Sequence, residues 1–421
     1  MDSIASSTRR GPASDREVVG PVARDSRIFA VDVVRGFALF GVLLENMYGF
    51  GADSIAWNST PDKVAFAFMH VFFESKTWTL FSILFGFGFA LQLERADSSG
   101  SRILPTYLRR LAVLFVLGAA HALLFDGDIL MLFAELGLGL LVVRRLPTRS
   151  LLLLAAGLVL VFPVAHLTLS HERLAGPNEV QRARARLERA KRSDVYAIGT
   201  LAEVVADNAD AIPADPIEDL TNPESGLAVF AMFLIGYSVG RSGVLRDIRG
   251  NAAAIARVRA WGLGLGLGAM LAERALHATA GYDVFRVQGA GPGVRLVGDL
   301  LFAYGITALA LGYSAALILA AQTPRGKAAL APLAAIGRLT LTAYLAQTLM
   351  FTTLFYGYGF GQVYRLGPVA VTGWAVAFFA VQLVASQWWS RRFLFGPAEW
   401  LWRSLTYLKW QPMRLRTGST P

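Results

Sequence analysis

The sequence predicts an all-α polytopic membrane bundle of about ten transmembrane helices, and three observations predict it. Apolar runs near twenty residues long recur between residues 29 and 388, and that length crosses a bilayer core as a helix. Hydrophobic residues make up 54% of the 421-residue chain and charged residues only 17%, with a mean hydropathy of +0.47, too apolar for an ordinary soluble protein. Ten-residue blocks of alternating polarity are absent, which argues against a membrane β-barrel.

The elements follow in chain order. Residues 1–26 are polar and Arg-rich, with no apolar core of a signal peptide, and read as a disordered cytoplasmic tail. A single transmembrane domain follows over 27–408, with spans at about 29–50, 78–93, 111–125, 129–143, 150–169, 226–240, 260–277, 295–321, 332–356 and 368–388. Val64–Phe73 is apolar but too short to cross, and reads as interfacial or re-entrant. Residues 170–225 form a long extracytoplasmic loop. Within it, Glu179–Lys191 reads as a helix with Arg182, Arg186 and Arg189 on one face, a cap at the lipid headgroups or a lid over an outward-facing site. Residues 409–421 are a cytoplasmic tail. Gly262–Gly268 and Phe85–Phe89 are Gly-rich but lie inside spans, so they read as helix-packing faces rather than nucleotide loops. Tyr356–Gly361 ends a span and reads as an aromatic rim.

Charge orients the chain. With ten spans and both termini inside, Arg95, Arg109, Arg110, Arg144, Arg145, Arg241, Arg325 and Lys327 fall on the cytoplasmic side, while the short outer segments hold only Lys63, Lys76, Arg286 and Arg365. The predicted location is a cell membrane, inner or plasma, crossed many times. The net charge of +10 is spread over loops and forms no nucleic-acid patch. The chain has no cysteine, which removes disulfides, thiol nucleophiles and thiolate metal sites. No pair of the five histidines has metal-ligand spacing, so no metal is expected.

Polar residues inside apolar runs mark the candidate site, because each is costly in lipid and must face protein or water. In the first span, Asp32, Arg35 and Asn46 share about 60° of the helix wheel, with Glu45 about 100° from Asn46. His121-Ala-Leu-Leu-Phe-Asp126-Gly127-Asp128 joins two spans through a tight Asp-Gly turn, so either aspartate reaches back toward the imidazole as in a general base with its orienting partner. Arg338 precedes a stripe of Thr340, Tyr344, Gln347 and Thr348 within about 100°, one wall of a polar tunnel or an interhelical hydrogen-bonding face. Lys76 has no evident partner and is expected to snorkel at the outer interface.

These motifs occur together and in order: Asp32-x-x-Arg35-Gly36 with Asn46, Lys76 with Leu80-Phe81 and Gly86, His121 to Asp128, Gly337-Arg338 with Thr342, Tyr344 and Gln347, and the ending Phe395-Gly-Pro397-x-Glu399-Trp400-Leu-Trp402-Arg403. The set resembles the YeiB-type membrane proteins over nearly the whole chain after residue 26. That family in turn resembles the transmembrane acyltransferase superfamily, which includes the lysosomal heparan-α-glucosaminide N-acetyltransferase. The resemblance implies transfer of an acyl group from cytoplasmic acyl-CoA or acetyl-CoA to a hydroxyl or amine across the membrane.

On that reading Arg109, Arg110, Arg144 and Arg145 meet the CoA phosphates, and Arg35 with Asp32 and Arg338 hold the entrance. The acyl arm lies along Asn46, Thr340, Tyr344 and Gln347, of which Asn46, Tyr344 or Gln347 donates to the thioester oxyanion. His121, oriented by Asp128 or Asp126, takes the acceptor's proton. The expected partners are membrane lipids, acyl-CoA and an extracytoplasmic sugar, glycolipid or amine, with a homo-oligomer open. The rival is a small-molecule permease, which would use the same polar tunnel, although no internal repeat supports it. A non-catalytic assembly subunit is a third reading.

Overall fold

Proline sets several helix starts and apolar length sets their extent. The computed structural model describes residues 28–51, 59–99, 103–174, 191–212, 226–281 and 290–415, without the side chains of Phe162 and residues 166–174. Its helices are α1 (Phe29–Gly51), α2 (Thr60–Phe72), α3 (Lys76–Ser99), α4 (Ile103–Ala122), α5 (Leu130–Val143), α6 (Thr148–Leu174), α7 (Leu201–Ala211), α8 (Gly226–Ser242), α9 (Ala252–Ala280), α10 (Pro292–Ala320), α11 (Pro324–Gly337), α12 (Thr340–Phe355), α13 (Pro368–Ser390) and α14 (Pro397–Tyr407). Residues 191–198 form a further helical stretch. A proline occupies the first turn of α2, α10, α11, α13 and α14, where its missing N–H costs nothing. An isolated β-bridge pairs Phe393 with Arg414.

The chain is an all-α polytopic membrane bundle. By length and hydropathy, five described stretches are long and apolar enough to cross: Thr60–Ser98, Ile103–Ala122, Thr148–Ala165, Pro292–Ala320 and Pro368–Ser390. The apolar α5 and α8 are shorter, at 14 and 17 residues. The expected span at 332–356 is not one helix. It is the pair α11 and α12, bent by 73° at residues 338–339. The two helices taken together are apolar enough to read as one span, so the hydropathy pattern hides the break. What stabilises it comes from afar: Glu399 on α14 caps α12, its Oε1 accepting from the N–H of Leu341 (2.6 Å) and Thr342 (3.1 Å), and its Oε2 from the Thr342 hydroxyl (2.5 Å). A carboxylate at a helix N-terminus satisfies otherwise orphaned donors and complements the helix dipole.

Helix α1 is the hub, packed against α3, α10, α11, α12 and α13. Its closest approach is to α11, where Gly36 lies on the Leu333 carbonyl and Gly337 on the Asp32 carbonyl; a Cβ at either would collide with backbone. The Gly-rich run on α9 packs as expected of small residues: Gly262 and Gly266 meet Gly312 and Leu309 of α10, while Gly264 and Gly268 face open space.

Three further segments differ from expectation. The short apolar piece before α3 is the helix α2, with Met69, His70 and Val71 buried and Val64 and Phe68 exposed. The expected tail from residue 409 folds back in its first part, the Leu394 N–H donating to the Met413 carbonyl and the Leu415 N–H to the Arg392 carbonyl. Of the long loop, the expected basic helix up to residue 190 and the N-terminal tail lie outside the described residues. Residues 191–212 are described, with a Thr200–Glu203 capping box opening α7.

Candidate functional site

Two cavities lie beside α1, and the α11–α12 break lines one of them. The larger, of about 520 Å³, is lined by α1, α3, α4, the turn before α5, the α11–α12 break and α14. At one end it carries Arg35, Arg110, Arg338 and Arg403; aromatic and aliphatic side chains including Trp78, Phe81, Leu84 and Phe85 line its flank. The smaller, of about 460 Å³, lies under residues 191–198 and holds Asp126, Arg192, Tyr196 and Tyr364. Glu45, Asn46 and Gly127 line both, so they form the wall the two cavities share.

The arginine end is built from four elements: α1, α4, the α11–α12 break and α14. Arg35 is paired with Asp32 at 3.3 Å, and its side chain remains 35% exposed. The Arg110 guanidinium lies 4.0 Å from the Trp402 ring centre, held by the Trp402 Nε1–H donating to the Arg110 carbonyl at 3.0 Å. Among the described residues no carboxylate is paired with Arg110. Arg109 turns away and donates to the Thr406 carbonyl at 3.0 Å. Arg144 and Arg145, expected at the phosphates, line neither cavity. Burial pushes the Glu399 carboxyl above its ordinary value of 4.5, against the hydrogen bonds from Thr342 and Leu341 that pull it down.

His121 and Asp128 come together. The ring Nδ1 lies 2.7 Å from Asp128 Oδ1, and Nε2 lies 2.7 Å from the Thr348 hydroxyl. Asp128 Oδ2 accepts from the Met131 N–H at 2.9 Å, which fixes the start of α5. Asp128 lines the larger cavity; the His121 ring, 4% exposed, is one layer behind it. Tyr344 lines the same cavity with its ring 4.9 Å from that of His121. Asp126 points instead into the smaller cavity, 3.5 Å from Arg192, which also binds Asp207 at 3.0 Å. Tyr196 stacks on Tyr356 at 4.8 Å, so the aromatic rim braces this cavity's roof.

Two expected residues face elsewhere. Gln347 donates to Gln382 at 2.9 Å, toward α13, and lines neither cavity. Lys76 does not snorkel: it is fully buried, donates to the His70 carbonyl at 2.5 Å and lies 5.8 Å from the Phe302 ring centre. It belongs to a second polar cluster, where His70 bridges Glu74 (2.5 Å) and Glu273 (2.9 Å). Sequence reasoning left out Glu45, Trp402, Arg403, Arg192 and Tyr196 as site residues. Glu45 carried a usable signal, a carboxylate in mid-span. Arg192 and Tyr196 carried none, because only folding brings the long loop over the turn at 126–128. Among the described residues no group of three or more His, Asp or Glu is placed to hold a metal ion.

Comparison with known proteins places the chain. A family model described as "Protein of unknown function (DUF418)" matches residues 239–409. The uncharacterized protein YxaH of Bacillus subtilis (strain 168) is 32% identical over 419 residues, covering 94% of this chain and 98% of that protein. The uncharacterized protein YeiB of Escherichia coli (strain K12) is 30% identical over 403 residues, covering 90% and 96%. The chain belongs to the YeiB-type family. A 39.9 kDa protein encoded in an amylase 3′ region of Bacillus acidopullulyticus is 27% identical over 419 residues, covering 94% of this chain and 98% of that protein. No solved structure matches the chain.

Proposed function

We propose that this YeiB-type protein is a membrane acyltransferase that moves an acyl group from acyl-CoA to a hydroxyl or amine on the other side of the bilayer. One observation carries the reading: the two cavities share a wall at Glu45 and Asn46, with four arginines lining one and an acidic and aromatic chamber on the other side. An anionic, amphiphilic donor fits the first cavity. Its phosphates would meet Arg35, Arg110, Arg338 and Arg403, whose guanidinium forks match phosphate oxygens. Arg110, without a carboxylate partner among the described residues, is the group such an anion would complete. The pantetheine and acyl chain would then run along Trp78, Phe81 and Phe85. Arg35 and Asn46 are about 16 Å apart along α1, half a bilayer core and a suitable length for that arm.

The chamber around Asp126, Arg192, Tyr196 and Tyr364 would take the acceptor, a sugar, glycolipid or amine. Tyr344 and Asn46, which line the larger cavity, would donate to the thioester oxyanion. Asp128 is the member of the His121–Asp128 pair that faces the donor, with the ring behind it. With positive charge on the inner side, the arginine end would face the cytoplasm and the chamber the outside of a plasma or inner membrane.

The test uses purified protein and radiolabelled acetyl-CoA. The expected results are a rise in melting temperature on adding acetyl-CoA and transfer of label to an extracted membrane or added acceptor. A permease would use the same passage; substrate flux in vesicles with no response to CoA would replace the enzyme by that reading.

A further inference from the structure

We infer that Glu45, at the wall the two cavities share, takes the proton from the acceptor; the inference rests on the acyl-transfer reading and assigns its chemistry to an atom. Four carboxylates line the cavities, and three are engaged. Asp128 is held by His121 and the Met131 N–H. Glu399 is held by the start of α12. Asp126 lies against Arg192. Glu45 differs in two ways. Among the described carboxylates it alone lines both cavities. One of its oxygens, Oε2, is buried and has no hydrogen-bond partner, while Oε1 accepts from the Ser75 N–H at 2.9 Å.

The donor of that bond is itself informative. Ser75 has a φ of 63°, a left-handed conformation that a residue with a side chain adopts at a cost. It lies in the turn between α2 and α3, whose neighbours Glu74 and Lys76 are anchored to His70. The second polar cluster thus fixes the turn, and the turn aims one amide at Glu45. The carboxylate is oriented through one oxygen, and the other, buried beside Trp78 at the wall the cavities share, has no hydrogen bond to break before it accepts a proton. His121 has no such atom, since both ring nitrogens are engaged and the ring lines neither cavity.

The step balances as follows. The acceptor hydroxyl oxygen (or amine nitrogen) attacks the thioester carbonyl carbon as its proton passes to Glu45 Oε2. The tetrahedral intermediate collapses, the carbon–sulfur bond breaks, and the proton moves from Glu45 to the leaving thiolate. The products are the acyl ester or amide and CoA thiol, with Glu45 again ionised.

The test compares wild type, Glu45→Gln, Glu45→Asp and His121→Asn in the acetyl-CoA transfer assay, with acetyl-CoA affinity measured alongside. Glu45→Gln keeps the shape and the Ser75 hydrogen bond but cannot accept a proton. The expected result is a loss of about 10²–10⁴-fold in transfer at unchanged affinity, a partial recovery in Glu45→Asp, and a smaller loss in His121→Asn. A Glu45→Gln variant that transfers at the wild-type rate overturns the assignment and leaves the acyl-transfer reading standing. A wild type that transfers nothing overturns both. Should Glu45→Gln fail to fold, wild-type membranes treated with dicyclohexylcarbodiimide give the answer: Glu45 is expected to be modified and to be protected by acetyl-CoA. An unmodified Glu45 in mass-mapped peptides overturns the assignment.

Discussion

Among the described residues two histidines are buried against carboxylates; the carboxylate partner of His121 lines a cavity, and those of His70 do not. His121 meets one aspartate and one hydroxyl. The Thr348 hydroxyl is able to donate to the ring, so this pair is complete with a neutral imidazole. His70 meets two carboxylates, Glu74 and Glu273. One ring nitrogen faces each carboxylate, and the Lys76 ammonium donates to the His70 carbonyl beside them. That cluster ties α2, α3 and α9 together and contacts neither cavity. Ionisable groups inside a membrane are therefore not all of one kind. Access to a cavity, rather than burial, separates a group with a chemical role from one that fixes geometry.

Three experiments sharpen or break that contrast. The largest effect is expected at His70. His70→Ala leaves Glu74 and Glu273 buried without their shared partner, which costs about 3–5 kcal/mol; thermal unfolding in detergent should fall steeply, well beyond the fall for His121→Ala. Equal losses in the two variants would erase the distinction. Next comes Arg110→Met, which keeps the stack on Trp402 and removes the charge. Acetyl-CoA affinity should weaken by about 2 kcal/mol, roughly 30-fold, with melting temperature nearly unchanged; calorimetric titration showing wild-type affinity would take the phosphates away from this end.

The smallest effect concerns Glu399. Its folded pKa is raised above the ordinary 4.5 by burial, so its contribution is fully present below the unfolded value and is lost as pH rises through the folded one. Melting temperature should therefore decline over that window, and Glu399→Gln should flatten the decline. An unchanged slope would show that the α12 cap does not titrate.

Much of this was legible in spacing. The eight residues from His121 to Asp128 include a tight Asp-Gly turn, and local geometry alone brings the two side chains together. The stripe of Asp32, Arg35 and Asn46 follows from helical periodicity, and Arg35 and Asn46 do line the larger cavity. Glu45 was set aside because it lies about 100° from Asn46. The cavities wrap around α1, so adjacent residues reach the same space, and no wheel drawn on a straight helix reveals a curved passage. Gln347 shares a stripe with Tyr344, yet the stripe is wide enough to divide: Tyr344 faces the cavity and Gln347 meets Gln382 on α13.

By itself the sequence determined that the chain is helical and crosses a membrane, because apolar length and backbone hydrogen bonding in lipid admit little else. It also determined which local pairs form, since one helical turn or one tight turn sets their distance. Only the tertiary structure decided where α11 ends and α12 begins, what holds Lys76, and that Glu45 and Asn46 stand between two cavities. Each depends on partners far away in the chain: Glu399 for the helix break, Phe302 beside Lys76, and Arg192 and Tyr196 over the outer chamber. Periodicity encodes the face a residue presents, and only packing decides what that face meets.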